Sequence, residues 1–380
     1  MRKKNIILLI KPTHECNLSC EYCYDKVEKQ HIKNKFISLD TIKDTVEKVF
    51  RGYEDVTLIW HGGEALLAGE DFFYKAHDAI NEIAKNNDTK VDYFLQTNGL
   101  LYEKNKKMLT DLNIKVSTSL DYTNKNKYRS SEDTFEYIKT VSEGNKIAPI
   151  NVISLEDSEK LIEIYEHTKE NNSNVSFNKR FLNNETEEET IKFANNYNKY
   201  IDHVLFDKDA FYLERSFEDI LKLILGFEKE VTCSSRNCLK DFISINPDGD
   251  IFICDRFGVS NSGNYGFINI KDINFTILEF WETDIFKKIQ RDNEYFEKEF
   301  CSKCKINFIC KGTCKSNRTD NSDKINLKIQ NNSDCIFKQI TYMHLLDRLY
   351  HLTEEEMLNL NPIVYRNLFE HNFINKYILD

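Results

Sequence analysis

Short apolar runs alternate with amphipathic segments through the first half of the chain. The apolar runs predict β-strands at residues 5–11, 56–60, 91–96, 114–120, 150–155 and 174–181. Between them, apolar residues recur every three or four positions, which predicts helices around residues 40–51, 70–86, 102–111, 132–143 and 156–170. Strands that alternate with helices form a parallel α/β sheet with right-handed crossovers, either doubly wound or curled toward a barrel. In both forms the chemistry collects at the C-terminal ends of the strands.

The pattern changes after the sixth strand. Residues 183–230 are charged and helical, and we interpret them as a connector. The stretch FISINPDGDIFIC, residues 242–254, alternates apolar and polar positions around an NPDG turn, which predicts a β-hairpin. The tail has the pattern of an amphipathic helix with a central Pro362. The expected units are therefore residues 1–182, 183–230, 231–335 and 336–380.

Composition limits the expected partners and location. The chain has 380 residues and a formal net charge of -10, without a basic run that would follow a phosphate backbone. We therefore expect no nucleic acid partner. The start, MRKKNIILLIKP, has an apolar run of only Ile6 to Ile10. A signal peptide core needs roughly 7 to 15 apolar residues and a membrane span about 20, so we expect a cytoplasmic protein without membrane association.

The cysteines are confined to two parts of the chain. Cys16, Cys20 and Cys23 lie in the stretch THECNLSCEYCYD, and no further cysteine precedes Cys233. In a reducing cytoplasm this placement favours metal or redox chemistry over structural disulfides. The C-terminal cysteines provide enough thiolates for two four-ligand zinc or iron-sulfur sites. These residues are Cys233, Cys238, Cys254, Cys301, Cys304, Cys310, Cys314 and Cys335.

The three N-terminal cysteines are compatible with two kinds of site. A zinc site completed by His14 is one, and the later CxxC pair considered alone also favours zinc. Alternatively, three thiolates hold three irons of a [4Fe-4S] cluster and leave the fourth iron open for a ligand. The GGE turn at residues 62–64 supports the second interpretation. Its glycines allow close backbone approach, and its carboxylate suits the ammonium group of an amino acid that chelates the open iron.

These motifs resemble a known family. CNLSCEYC, residues 16–23, has the CxxxCxΦC pattern of the radical S-adenosylmethionine (radical SAM) enzymes, directly after a first strand and before GGE. The spacing from Cys238 to Cys335 resembles the SPASM domain that many of these enzymes carry. The resemblance covers roughly residues 5–181 and 231–335. It implies a partial (βα)6 TIM-like barrel, followed by a small cysteine-rich domain with a β-hairpin and helices.

The resemblance implies three [4Fe-4S] clusters and S-adenosyl-L-methionine as cofactors. The ligands of the SAM-binding cluster would be Cys16, Cys20 and Cys23. By analogy with fully ligated SPASM members, the first auxiliary cluster would use Cys233, Cys238, Cys254 and Cys314. The second would use Cys301, Cys304, Cys310 and Cys335. This assignment uses all eleven cysteines.

The family also implies a reaction and residues that bind the cofactor. An electron from the reduced cluster cleaves SAM to a 5'-deoxyadenosyl radical, which removes a hydrogen atom from an unactivated carbon. Carried over by motif, Glu64 would bind the ammonium group of SAM and Tyr22 would lie near its adenine. Ser119 and Arg129 would contact its ribose and carboxylate. The alternatives are a core role for Tyr22 and a solvated surface charge at Arg129.

Two complete auxiliary clusters suit the removal of an electron from a substrate, so we expect an oxidative reaction. Asp255 directly follows a cysteine and resembles the proposed general base of anaerobic sulfatase-maturating enzymes, which oxidise Cys or Ser to formylglycine. The alternative is an aspartate that caps its own turn. The stretch WHGGEALLAGEDFF resembles enzymes that cross-link ribosomally made peptides, and it carries His61 at the same edge.

The first hypothesis is a peptide or protein maturase that forms an oxidised or cross-linked residue with net loss of two hydrogens. The alternatives are an anaerobic sulfatase-maturating enzyme and a zinc-stabilised binding protein without catalysis. The expected partners are a peptide or protein substrate and an electron donor such as flavodoxin or ferredoxin. The sequence leaves no room before its first strand for a leader-recognition domain. We therefore expect a bound peptide leader to contact the barrel, the helical connector, the tail or a separate leader-binding protein.

Overall fold

The computed structural model describes residues 2–25, 29–122, 132–145, 147–180, 185–227, 231, 238–257, 265–310, 312–314 and 333–370. Its strands are β1 (Lys3–Thr13), β2 (Tyr53–Gly62), β3 (Lys90–Thr97), β4 (Lys115–Ser119), β5 (Pro149–Ile153), β6 (Ser176–Lys179), β7 (Phe242–Ile245), β8 (Asp250–Phe252) and β9 (Ile268–Asn269). Its first helices are α1 (Leu39–Gly52), α2 (Glu70–Asn87), α3 (Tyr102–Asp111), α4 (Glu132–Gly144), α5 (Leu161–Glu170), α6 (Glu187–Leu205) and α7 (Arg215–Ile224). The later helices are α8 (Asp284–Glu299), α9 (Ser333–Tyr350), α10 (Glu354–Leu358) and α11 (Pro362–Glu370).

The first six strands lie side by side in chain order within one sheet, whose full order is β6-β5-β4-β3-β2-β1-β7-β8-β9. Each neighbouring pair among β1 to β6 is parallel. Successive right-handed crossovers that always step in one direction place the helices on one face and curl the sheet. A doubly wound sheet would instead reverse its strand order partway. The partial (βα)6 barrel implied by the sequence is confirmed.

The hairpin extends the barrel sheet. Strand β7 pairs in parallel with β1, with Ile7 opposite Phe242 and Ile10 opposite Ile245, and β8 returns antiparallel. The turn forms because the Asn246 side chain accepts hydrogen bonds from the backbone N–H groups of the second and fourth residues after it. Gly249 supplies the left-handed conformation that the turn requires, with φ of 85°. The cysteine-rich region therefore begins as a continuation of the barrel.

Local sequence signals explain the helices that cover the sheet. Helix α1 begins after Ser38, whose hydroxyl accepts a hydrogen bond from the Thr41 N–H, and it buries Ile42, Val46 and Val49 against the strands. The other four helices predicted in the barrel are also present. In the last of them, the first turn at Asp157–Lys160 is a 3-10 helix.

The C-terminal tail differs from the single amphipathic helix that the sequence suggested. Its described part, which ends at residue 370, contains three helices, and Pro362 occupies the first position of α11, where its missing N–H costs no hydrogen bond. The buried Asn361 caps this helix by accepting from the Ile363 N–H and donates to the Val204 carbonyl at the end of α6. The tail is thereby anchored to the connector.

The core has two large parts. One part joins β1 to β3 and their helices to the hairpin and α8, and includes the buried Trp60, Phe280 and Phe286. The other joins β5 and β6 to the connector and the C-terminal helices, and includes Tyr165 and Phe217. Each fully buried side chain of this size contributes about 1.5 to 3 kcal/mol of transfer free energy. Within the described residues, no helix is long and apolar enough to cross a membrane.

Candidate active site

Loops that follow the first four strands meet at one edge of the sheet. The Asn98 side chain, after β3, donates hydrogen bonds to Asn17 Oδ1 at 2.7 Å and to Cys16 Sγ at 3.7 Å, in the loop after β1. The Tyr22 hydroxyl of the same loop donates to the buried Asp121 carboxylate after β4. The shared edge that the sequence predicted is confirmed.

The glycines of the GGE turn hold the cysteine loop against the sheet. A Cβ atom at Gly63 would lie 2.3 Å from the Glu15 carbonyl oxygen and 2.6 Å from that of His14. Instead, the Gly63 N–H donates to Thr13 O and the Glu64 N–H to Glu15 O. The sequence interpretation assigned these glycines to the approach of a ligand. In the structure, the group that approaches them is the backbone at the start of the cysteine loop.

Glu64 ties the ends of two strands together. Its side chain is fully buried, and its carboxylate accepts hydrogen bonds from the Thr97 hydroxyl at 3.0 Å and from the Asn98 N–H at 2.8 Å. It also accepts from the Leu66 N–H, at the start of the next turn. The carboxylate thus connects the ends of β2 and β3 directly beside the cysteine loop. Its assignment to the SAM ammonium group stays a prediction.

The three N-terminal thiols differ in exposure. Cys16 is exposed, whereas Cys20 and Cys23 are half-buried. The Leu18 N–H points at Cys16 Sγ, at 3.4 Å. His14, the fourth ligand in the zinc alternative, is buried and pairs through Nδ1 with Asp25 at 2.9 Å.

The groups around the cysteine loop are compatible with a [4Fe-4S] cluster. Among the residues that the structure describes, no three His, Cys, Asp or Glu side chains converge as ligands of one metal ion. A [4Fe-4S] cluster offers a different iron to each thiolate, so its ligands need no common point, and N–H groups directed at the sulfur atoms are typical of its surroundings.

The other proposed SAM contacts are distributed around this edge. The Tyr22 ring is half-buried, and the Arg180 guanidinium lies 5.9 Å from its centre. Ser119 ends β4, and its Oγ accepts a hydrogen bond from Gln96 Nε2 at 2.9 Å. Arg129 lies outside the described residues. Arg180, which follows β6, was not singled out from the sequence.

Asp255 lies in a charged cluster that the sequence analysis did not find. One oxygen of its carboxylate is 2.9 Å from Lys11 Nζ, and the other is 3.5 Å from His61 Nδ1. Lys11 also pairs with Asp25 at 2.9 Å, and Asp25 pairs with His14. We name these five residues, Lys11, His14, Asp25, His61 and Asp255, the edge cluster.

Burial and charge set the protonation of the edge cluster. The two carboxylates overcome the effect of burial and raise the pKa of Lys11, whose charge in turn holds the pKa of Asp25 well below its usual range despite burial. Burial, together with the positive Lys11, lowers the pKa of His61 to about 4. His61 is therefore neutral near pH 7. Because its Nδ1 faces the Gly62 N–H at 2.8 Å, we assign its proton to Nε2.

The C-terminal cysteines come from several segments. Cys238 and Cys254 flank the hairpin, the next two lie on and directly after a 3-10 helix, and Cys335 lies in the first turn of α9. The described members are half-buried: Cys238, Cys254, Cys301, Cys304, Cys310, Cys314 and Cys335. Cys233 lies outside the described residues. Burial raises the pKa of Cys335 to about 12, so a nearby cation or metal is needed to favour its thiolate.

Two cationic side chains reach this group of thiols. Arg256 Nη1 lies 3.9 Å from Cys314 Sγ. Lys338 is 5% exposed and donates to the Gly312 carbonyl at 3.1 Å. Tyr342 and Asp334, followed by the nearby Cys310 and Cys314, overcome the effect of burial and raise its pKa. Buried positive charge beside thiols suits an anionic iron-sulfur cluster.

Comparisons with known proteins agree with this geometry. Residues 10–196 match the family model of the radical SAM superfamily. The chain is 27% identical over 352 residues to the cysteine-type anaerobic sulfatase-maturating enzyme of Clostridium perfringens strain 13, covering 83% of this chain and 90% of the relative. Over 105 residues, it is 31% identical to the serine-type anaerobic sulfatase-maturating enzyme of Bacteroides thetaiotaomicron. This alignment covers 25% of that relative.

Solved structures share the fold. Polyhistidine-tagged anSMEcpe with bound AdoMet has a TM-score of 0.74 at 22% identity, covering 92% of this chain and 98% of the other. Native anSMEcpe with bound AdoMet and Cp18Cys peptide has a TM-score of 0.73 at 23% identity, covering 90% and 97%. With its partial barrel, its cysteine loop at the barrel edge and its cysteine-rich C-terminal region, the chain carries a radical SAM domain at residues 10–196 and is a radical SAM enzyme.

Proposed function

We propose that the chain is a peptide maturase that oxidises a side chain of a ribosomally made peptide with net loss of two hydrogens. One observation carries this proposal: Asp255 directly follows Cys254, yet it reaches the edge that holds the cysteine loop. A carboxylate between a SAM site and an auxiliary cluster can accept a proton while an electron leaves toward the cluster. The product would be an oxidised or cross-linked residue.

The cofactors of the enzyme are S-adenosyl-L-methionine and [4Fe-4S] clusters. When bound, they would supply the radical chemistry that removes one hydrogen atom and an acceptor for the electron. The chain's own residues would hold the proton. Asp255 Oδ1 pairs with Lys11, whereas Oδ2 lies on the side of His61, so we assign the second hydrogen to Oδ2, as a proton. A neutral His61 would offer its Nε2–H to the peptide.

We assign the thiols to three clusters as the family resemblance implies. The SAM-binding cluster takes Cys16, Cys20 and Cys23. The first auxiliary cluster takes Cys233, Cys238, Cys254 and Cys314. The second takes Cys301, Cys304, Cys310 and Cys335. The proximity of Cys310, Cys314 and Lys338 supports two neighbouring sites in this region. We assign four residues to SAM binding: Tyr22, Glu64, Ser119 and Arg129. The Glu64 carboxylate already accepts hydrogen bonds from three protein donors, which restricts its role toward SAM.

The second candidate is sulfatase maturation, the conversion of Cys or Ser to formylglycine. It is supported by relatives in the sulfatase-maturating group that align over most of both chains. In either case we propose a cytoplasmic enzyme that receives electrons from a flavodoxin or ferredoxin and acts on a peptide or protein. A separate leader-binding protein would present a peptide that carries a leader.

The test is mass spectrometry of peptides incubated anaerobically with reconstituted enzyme, SAM and a reductant. We expect a loss of two hydrogens from a short precursor encoded beside the gene. Formylglycine in a Cys- or Ser-containing sulfatase peptide would instead establish the second candidate. Asp255→Asn should lower product formation about 10²-fold to 10⁴-fold while 5'-deoxyadenosine still forms. Asp71→Asn, at an exposed carboxylate on α2, is the control and should keep full activity.

Metal analysis tests the class of the protein separately. About twelve irons per chain with matching sulfide are expected for three clusters. Colourless protein that contains zinc, without iron or sulfide, would contradict the proposed function and support a binding protein.

A further inference from the structure

Lys11 connects two parts of the chain that are far apart in sequence. It lies near the end of β1 and is only 2% exposed. Its ammonium group is 2.9 Å from Asp25 Oδ1 and 2.9 Å from Asp255 Oδ1. Asp25 ends the cysteine loop, whereas Asp255 follows the hairpin. A buried ammonium group is tolerated when paired charges compensate its lost hydration, so this bridge is a defined part of the edge.

Lys11 restricts the orientation of Asp255. Besides the Oδ1 contact, its Nζ lies 3.4 Å from the Asp255 backbone carbonyl oxygen, so one ammonium group contacts both ends of the residue. The other side-chain oxygen, Oδ2, lies 3.5 Å from His61 Nδ1. Because that nitrogen already accepts from the Gly62 N–H, neutral His61 has no proton to give to Oδ2. Oδ2 is thus the oxygen that stays available to a substrate.

The pair between Lys11 and Asp25 is equally constrained. Asp25 is 4% exposed, and its second oxygen pairs with His14 Nδ1 at 2.9 Å. The Lys11 ammonium also lies 5.4 Å from the centre of the Tyr24 ring, within the range of a cation-π contact. Lys11 therefore has little freedom to leave Asp255, and the position of the carboxylate depends on the loop that carries the first three cysteines.

We propose that Lys11 is a positioning residue for the oxidation. It holds Asp255 Oδ1, so that Oδ2 is directed to the substrate, and it does so from an anchor at Asp25. This inference rests on the proposed function and extends it to a residue that belongs to no motif. Placement errors of about 1 Å can cost about 10²-fold in rate, so the bridge should control how efficiently hydrogen abstraction leads to product.

The test measures product formed per 5'-deoxyadenosine in reconstituted Lys11→Met, Lys11→Arg and Asp25→Asn enzymes. In Lys11→Met we expect normal iron content and 5'-deoxyadenosine formation, with the product ratio about 10²-fold lower. Lys11→Arg should restore much of it, because a guanidinium can bind both carboxylates. Lys48→Met is the matched control, since this buried lysine pairs with Asp44 at 2.8 Å on the remote helix α1.

Several outcomes distinguish this role from a structural one. Adding Lys11→Met to Asp255→Asn should cause no further loss of product, because both changes remove the same function. If Lys11→Met loses iron, Asp25→Asn is the deciding variant, because it keeps the pair between Lys11 and Asp255. A severalfold lower ratio of product to 5'-deoxyadenosine in that variant supports the positioning role of Lys11.

A wild-type ratio in folded Lys11→Met or in Asp25→Asn would overturn the inference, even if thermal unfolding of the variants showed that the ion pair stabilises the fold. Absence of any modified peptide from wild-type enzyme would instead refute the proposed function itself. In that case, the Lys11 and Asp255 substitutions would still affect the unfolding temperature non-additively, as expected for a contacting ion pair.

Discussion

The two groups of cysteines are supported in different ways. The N-terminal three lie within eight residues of one loop, whose backbone is fixed to the sheet edge through Gly63 and Glu64. The C-terminal cysteines belong to the hairpin, a 3-10 helix and α9. The barrel therefore prepares the first site in advance. In the second region, metal binding itself would join the segments, so its stability should depend on the clusters.

The lysines beside these groups differ as well. Lys11 is balanced by two carboxylates of the edge cluster. Lys338 donates to the Gly312 carbonyl, and Tyr342, Asp334 and then the nearby thiols overcome the effect of burial and raise its pKa. The first lysine orients a carboxylate. The second supplies positive charge where anionic clusters are proposed.

The strongest test of this difference is removal of one thiol from the first group. In Cys20→Ala we expect complete loss of 5'-deoxyadenosine, because the open cluster loses a ligand. The fold and about eight of twelve irons should remain, since the loop is held by backbone contacts and the auxiliary sites are separate. Circular dichroism and iron analysis measure both. Loss of most of the auxiliary iron would show that the regions are not independent.

A second test moves the loop without touching a thiol. In Gly63→Ala the added Cβ would overlap the Glu15 carbonyl oxygen, at 2.3 Å, so the loop must shift. We expect about a 10²-fold loss of 5'-deoxyadenosine formation. Gly144→Ala, at the end of α4, is the matched control. Among the described residues, apart from its chain neighbours and the backbone of its own helix, no atom lies within 4 Å of a Cβ at that position. Equal activity of the two variants would argue that the loop is not fixed by this contact.

A third test addresses the charge in the second region. Lys338→Met should lower the reduction potential of an auxiliary cluster, because a nearby positive charge favours the reduced, more negative state. The potential of the SAM-binding cluster should not change. Lys338→Arg keeps the charge and should keep the potential. Redox titration followed by electron paramagnetic resonance measures the reduction potential of each cluster. An unchanged auxiliary-cluster potential in Lys338→Met would contradict the charge effect assigned to Lys338.

The smallest expected effect concerns His61 and pH. Its pKa falls from about 6.5 in the unfolded chain to about 4 in the folded protein. As pH falls from 6.5 to 4, the unfolded state therefore binds a proton that the folded state does not, which favours unfolding. His61→Gln removes this effect. Between pH 6.5 and pH 4, the free energy of unfolding should therefore fall by about 1 to 3 kcal/mol less in this variant than in the wild type. Denaturant unfolding of both proteins at both pH values measures the difference. An equal loss of unfolding free energy in the wild type and in His61→Gln would contradict the prediction.

Local patterns were sufficient to predict most of the fold. All six barrel strands and five helices follow from hydrophobic periodicity, and NPDG marks the hairpin turn. The division of the tail at Asn361 was missed because the Val204 carbonyl, to which the Asn361 side chain donates, is distant in sequence. The proposed unit boundaries of residues 1–182, 183–230, 231–335 and 336–380 stay predictions.

The site was predictable only where a motif is local. The cysteine spacing and GGE indicated the edge, and the contacts of Asn98 with Cys16 and of Tyr22 with Asp121 confirm that the loops meet there. The edge cluster was not predictable, because Lys11 and Asp255 are separated by 244 residues. One signal was visible: a charged lysine directly continues the apolar run of β1, and such a residue requires a buried partner.

The pairing of β7 with β1 has a consequence for electron transfer. Backbone hydrogen bonds fix the register of Ile7 with Phe242 and of Ile10 with Ile245, and the cysteine loop and Cys254 follow from strands of this same sheet. Under the proposed ligand assignment, the distance between donor and acceptor is therefore set by strand register. Because tunnelling slows steeply with distance, a one-residue slip of β7 against β1 would alter the rate of the oxidation without changing any cofactor ligand.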